Sequence, residues 1–139
     1  ESYHPKRDNP ALYEWQRKNI ENYLFISDTW RRAALFKMHE KAENLMNGST
    51  MKIIDDYFAK QRLTISSKET WRTVDAEVFK ILDGKKLLFE NATSLFQQLR
   101  NEDERLVLNR ETIAPQMIES ELHQDILDFF EKLKSTVKS

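Results

Sequence analysis

Residues 27–48 read SDTWRRAALFKMHEKAENLMNG, and this stretch decides the fold class. Trp30, Ala34, Met38, Ala42 and Leu45 recur every three or four residues, the period of one face of an α-helix. The stretch opens on Ser27-Asp28-Thr29, residue types that cap helix N-termini, and closes on Asn47-Gly48, a helix stop. Upstream, Asn9-Pro10 places a cap residue before a proline at the first helical position, where its missing N–H costs nothing. Unbroken, a helix over 10–47 would be about 38 residues, or ~57 Å, long for a small domain. Leu12, Trp15, Tyr23 and Ile26 lie on a different side from the stripe that starts at Trp30, so a kink is expected at 27–29. Residues 1–9, with Pro5 and several charges, read as a flexible arm preceding a single domain over 10–139.

The same period continues downstream. Ser49-Thr50 caps a shorter helix bearing Met51, Ile54, Tyr57 and Phe58, followed by Leu63-Thr64-Ile65, the one stretch with a faint strand character. Ser66 followed by Glu69 fits a capping box and predicts a helix carrying Trp71, Val74, Val78, Ile81 and Leu82, ending at Asp83-Gly84. A fourth helix is expected from Lys85 through Leu88, Ala92, Leu95, Phe96 and Leu99, with a restart capped by Asn101. Pro115 opens the last, with the stripe Ile118, Leu122, Ile126, Phe129, Phe130, Leu133 and Val137. The expected fold is all-α: a single antiparallel bundle of four to six helices with a long, kinked first helix.

Composition excludes several alternatives. Leu, Ile, Val and Phe make up about a quarter of the 139 residues, enough for a core. Two glycines and four valines argue against a turn-rich β-sandwich and leave no phosphate-cradling loop. The chain has no cysteine, so no disulfide, thiolate nucleophile or Cys-ligated metal. With 22 basic against 23 acidic residues it has no overall pull toward nucleic acid, although 101–128 holds eight acids against Arg105 and Arg110. The longest apolar run, Tyr23-Leu24-Phe25-Ile26, is far short of the ~20 residues of a membrane span, so no membrane insertion of this segment is expected. The start at Glu1 leads us to expect a processed or excised domain, cytoplasmic or extracytoplasmic, of a larger or membrane-anchored protein.

Motifs for chemistry are incomplete. His4, His39 and His123 are far apart, Glu1/His4 is the one Glu-x-x-His and has no second to pair with, and no His-Glu-x-x-His occurs, so no metal site and no cofactor are expected. Glu119/His123 and His39/Glu43 read as ordinary surface pairs. Asp55-Asp56 starts, and does not complete, an aspartate-rich isoprenoid-synthase motif. Glu40 and Glu43 supply only half of the Glu-x-x-Glu pattern of all-α nucleotide pyrophosphatases.

One feature is off pattern. Phe25 and Phe36 sit away from the first helix's main stripe, on the side shared by Arg32, His39 and Glu43. Either the helix is sandwiched inside its own fold, or it offers an apolar patch to another molecule. We expect Phe25, Arg32, Phe36 and His39 to form a partner-binding face, with the two phenylalanines exposed in the isolated chain and covered by a protein partner or a second copy. Arg32 and His39 also resemble the Arg-x4–6-His motif of the HEPN ribonucleases, which are all-helical and dimeric. That resemblance implies His39 as acid–base and Arg32 stabilising a phosphate, although Ala33 departs from the family's polar residue. The leading expectation is a non-catalytic helical interaction or regulatory module. The alternative is an extracytoplasmic ligand-sensing domain of a membrane receptor, with Trp15, Trp30, Tyr57 and Trp71 lining a small-molecule pocket.

Overall fold

A computed structural model describes residues 15–40 and 47–138. The predicted arm over 1–9, the Asn9-Pro10 helix start and the stripe positions Leu12, Ala42 and Leu45 lie outside them. Within them every regular element is helical and none is a strand. Six α-helices follow one another: α1 (Ser27–Glu40), α2 (Asn47–Lys60), α3 (Glu77–Ile81), α4 (Leu95–Glu102), α5 (Arg110–Ile113) and α6 (Gln124–Lys138). Short 3-10 turns at Ile20–Leu24, Ala114–Gln116 and Glu119–Glu121, and a π turn at Lys86–Glu90, link them.

The expected break before α1 is complete rather than a kink. A 3-10 turn ends at Leu24, Phe25 and Ile26 are non-helical, and α1 begins at Ser27 with Asp28 in its first turn. Asn47-Gly48, read as a stop, instead opens α2. That helix ends in a Schellman motif without glycine. Arg62 takes φ 60, its N–H reaches the Ala59 carbonyl at 3.0 Å, and the Leu63 N–H reaches Phe58 at 2.9 Å. Leu63 is thereby driven into the core, so the faint strand signal at 63–65 reads a helix end.

Three predicted helices are shorter than expected, because tertiary contacts outweigh local propensity. Glu69 does reach back to the Ser66 N–H at 2.9 Å, but the Ser66 hydroxyl accepts from Lys68 at 3.3 Å, which makes a turn. Arg72 and Val74 are then held non-helical by the 119–124 segment. Arg72 donates to the Leu122 and Glu119 carbonyls, and the Gln124 N–H to the Arg72 carbonyl at 2.9 Å. The helix expected from Lys85 to Leu99 is split: the π turn closes on the Asn91 N–H to Lys86 carbonyl bond, and α4 restarts at the Ser94 cap. Asn101 does not cap anything; it lies inside α4, and Asn109 caps α5 instead. Pro115 sits in a 3-10 turn, so the last helix begins nine residues later, at Gln124.

The core gathers Phe25, Trp30, Ala33, Ala34, Ile54, Phe58, Phe79, Leu88, Leu95, Leu99, Leu108 and Ile113 in one cluster. α1 packs on α2 and α5, and α2 on α4. The segment before α1 is stitched to the α3 end by side chains. Buried Asn22 donates to the Phe79 carbonyl at 3.0 Å and the Leu82 carbonyl at 2.8 Å, and accepts from the Gly84 N–H at 2.9 Å. Asn19 adds a bond to Asp83 at 3.0 Å, and that bond holds the Asp83 carboxyl below its ordinary range. A Cβ on Gly84 would lie 2.4 Å from the Asn22 Oδ1, so glycine is required by the close approach.

Candidate functional site

The wheel that grouped Phe25 with Phe36 assumed one helix through both. Because the helix starts at Ser27, Phe25 is turned inward and is 0% exposed, in the core beside Trp30. Phe36, on the outer side of α1, is 53% exposed, and its neighbour Leu35 is 43% exposed. The apolar patch on α1 is therefore Leu35 and Phe36. His39 lies one turn further along the helix, and its side chain, like the His39/Glu43 pair, falls outside the described residues.

Arg32 is engaged within the fold. Its Nε donates to the Gln116 carbonyl at 2.8 Å, and its Nη2 forms an ion pair with Glu121. Glu121 is 4% exposed, and its Oε1 also accepts from the Thr29 hydroxyl at 2.7 Å and the Ile118 N–H at 3.2 Å. Arg32 thus neutralises a buried carboxylate and fastens α1 to the segment before α6. A guanidinium committed in this way would have to abandon Glu121 to stabilise a phosphate, which removes the support for the nuclease resemblance.

The four aromatics proposed for a pocket do not converge. Trp30 is fully buried, donates to the Leu24 carbonyl at 2.9 Å, and packs its ring on Phe58 and Phe89. Tyr57 stands edge-on to Phe58, and its hydroxyl donates to the Leu87 carbonyl at 2.5 Å. Burial pushes the Tyr57 phenol up to about 12. Trp71 packs against Phe79, and Trp15 against Tyr23 and Phe129, on another part of the molecule. The guanidinium of Arg17, 8% exposed, lies 4.4 Å above the Tyr23 ring and 5.6 Å from that of Phe79, joining those two pairs. Tyr57 borders a cavity of about 260 Å³, beside Lys60, Gln61, Thr93 and Gln98.

Sequence reading missed a second polar cluster. Tyr23 donates to Asp125 at 2.5 Å, the Asp125 N–H reaches His123 Nδ1 at 3.0 Å, and His123 Nε2 donates to the Val74 carbonyl at 3.0 Å. With one ring nitrogen at the Val74 carbonyl and the other at the Asp125 N–H, 3.5 Å from the Asp125 carboxylate, His123 is a bracket between the 74 and 123–125 segments. It does not pair with Glu119, whose carbonyl holds Arg72. The only sequence clue was Asp125 lying two residues beyond His123, and separations of 49 and 102 residues hid the rest. Among the described residues, no three His, Asp or Glu side chains gather where a metal could sit, and no helix is long and apolar enough to cross a membrane. Compared with protein-family models, curated proteins and solved structures, the chain finds no match.

Proposed function

We propose that this protein works by contact rather than by chemistry: a non-catalytic helical interaction module that binds another protein through the outer face of α1. The supporting observation is the adjacent exposure of Leu35 and Phe36 at 43% and 53%, on a helix whose Trp30, Ala33 and Ala34 are fully buried. Two large apolar side chains in water on an otherwise well-packed helix fit an apolar partner surface that removes them from solvent. In this proposal α1, α2 and α4 form the antiparallel bundle that keeps that face rigid. The neighbouring ionisable groups support the reading, since Arg31 pairs with Asp55 and Arg32 with Glu121, leaving the apolar pair as the feature available for recognition.

The test is a photo-cross-linking amino acid placed at position 36, with a control at Lys52 on the charged side of α2. A partner adduct is expected from position 36 and not from position 52. Leu35→Ser with Phe36→Ser in the unlabelled chain should abolish its ability to compete, at unchanged thermal stability. Equal adducts from both positions, or undiminished competition by the double variant, would sink the reading.

The ligand-sensing alternative keeps one supporting observation, the cavity beside Tyr57. Its walls join apolar Ile53 and Leu87 to polar Asp56, Lys60, Gln61 and Thr93, which suits a small molecule with both polar and apolar parts. A library of such molecules should then raise the melting temperature of the wild type and not of Gln61→Ala.

A further inference from the structure

α6 is the most amphipathic of the long helices, yet none of residues 122–135 is buried. One flank meets the body, where Phe129 packs against the Trp15 ring at 5.1 Å and Asp125 bonds to Tyr23. About 70° around the helix runs a different line, Ile126, Phe130 and Leu133, of which Phe130 is 47% and Leu133 39% exposed. The sequence continues this line at Val137. The intervals are four, three and four residues, which is the a/d spacing of a coiled-coil seam.

We propose that the occupant of this seam is a second copy of the chain, its α6 crossing antiparallel about a two-fold axis between positions 131 and 132. Two properties of the sequence select that partner. The seam is its own mirror under such an axis: position 126 falls opposite 137 and 130 opposite 133, so Phe130 of each copy faces Leu133 of the other. The charges are complementary only in that direction. Asp128 and Glu131 stand in the first half of α6, and Lys134 and Lys138 in the second. Antiparallel pairing brings acidic halves onto basic halves, whereas parallel pairing sets like on like. The same acids disfavour an anionic membrane surface as the occupant.

A seam of two heptads is shorter than a standard interface, so a weak dimer that forms only as concentration rises is expected. The dimer leaves Leu35 and Phe36 out of the seam, so it would carry two copies of the proposed α1 face, and a partner with two sites would gain avidity.

Sedimentation of the full chain across micromolar to millimolar concentration tests this. The mass should rise from 16.6 kDa toward twice that value. Phe130→Asp with Leu133→Asp should remain monomeric with unchanged helicity, because both side chains are exposed. Reversing the charges Asp128→Lys and Glu131→Lys in the first half of α6, or Lys134→Glu and Lys138→Glu in the second, should each weaken self-association about tenfold or more, and mixing the two variants should recover it. A constant mass at every concentration overturns the proposal. So does loss of the dimer in Leu35→Ser with Phe36→Ser but not in the seam variant, which would move the contact to α1 and leave the function proposed above standing. Seam-dependent binding to phosphatidylserine vesicles by a protein that stays monomeric also overturns it.

Discussion

Asn22 is a buried side chain bonded on both its amide atoms, and nothing in its sequence neighbourhood marks it. Its amide satisfies the carbonyls where α3 ends and the Gly84 N–H where the chain turns. Gly84→Ala places a methyl group against Asn22 Oδ1 and within about 3 Å of its backbone, so a loss of about 1–3 kcal/mol is expected in denaturant unfolding. Tyr57 carries a high-pH signature through its burial. Folding raises its phenol to about 12 from an ordinary value near 10, so the folded state holds the proton more tightly. Stability is therefore full below about pH 10 and falls as pH rises through 12, a loss that Tyr57→Phe should flatten in unfolding curves recorded over that window. Single residues also set the limit of sequence reading. A continuous wheel puts Phe25 and Phe36 on one outer side, yet Phe36 is exposed and Phe25 is buried. A helical wheel carries information only as far as the helix is continuous, and the break lies between the two.

At the scale of elements, apolar periodicity located α1, α2 and the C-terminal part of α6, where a stripe and the chain's own hydrogen bonds agree. It overestimated the helix between Ser66 and Ile81. There the capping-box residues are present but Arg72, Val74 and their partners at 119–124 hold the backbone out of helical form. No local signal distinguishes such a segment, because the deciding partners lie some 50 residues away. The end of α2 shows the reverse, a strong structural motif written with the wrong residue. Arg62 occupies the left-handed position that normally favours glycine, at φ 60. Arg62→Gly should therefore stabilise the protein by up to about 1 kcal/mol, read as a higher denaturant midpoint at unchanged slope.

For the whole molecule, the contrast between a filled interior and apolar side chains left outside is what separates stability from function. Phe25→Ala should cost about 3–5 kcal/mol, since it empties a site with no exposure. Phe36→Ser should change stability by no more than about 0.5 kcal/mol while removing half of the proposed α1 contact. Finding the first variant tolerated or the second unfolded, by thermal and chemical denaturation, would reverse that division. The all-helical class was legible from composition and period alone. The candidate surface was legible only in part, because exposure depends on which neighbours arrive, and α6 emerged as an uncovered face only once the body against which it stands was known.

The long-distance stitching carries a kinetic consequence. Bonds from Asn22 to Phe79 and Leu82, from Thr29 to Glu121, and from Arg72 to Leu122 span 57, 60, 92 and 50 residues. Helical proteins usually fold in microseconds to milliseconds because their contacts are local, but here large loops must close before those bonds form. Refolding by stopped-flow fluorescence of the tryptophans should accordingly run on the millisecond-to-second scale of sheet proteins, in a molecule whose described residues contain no sheet.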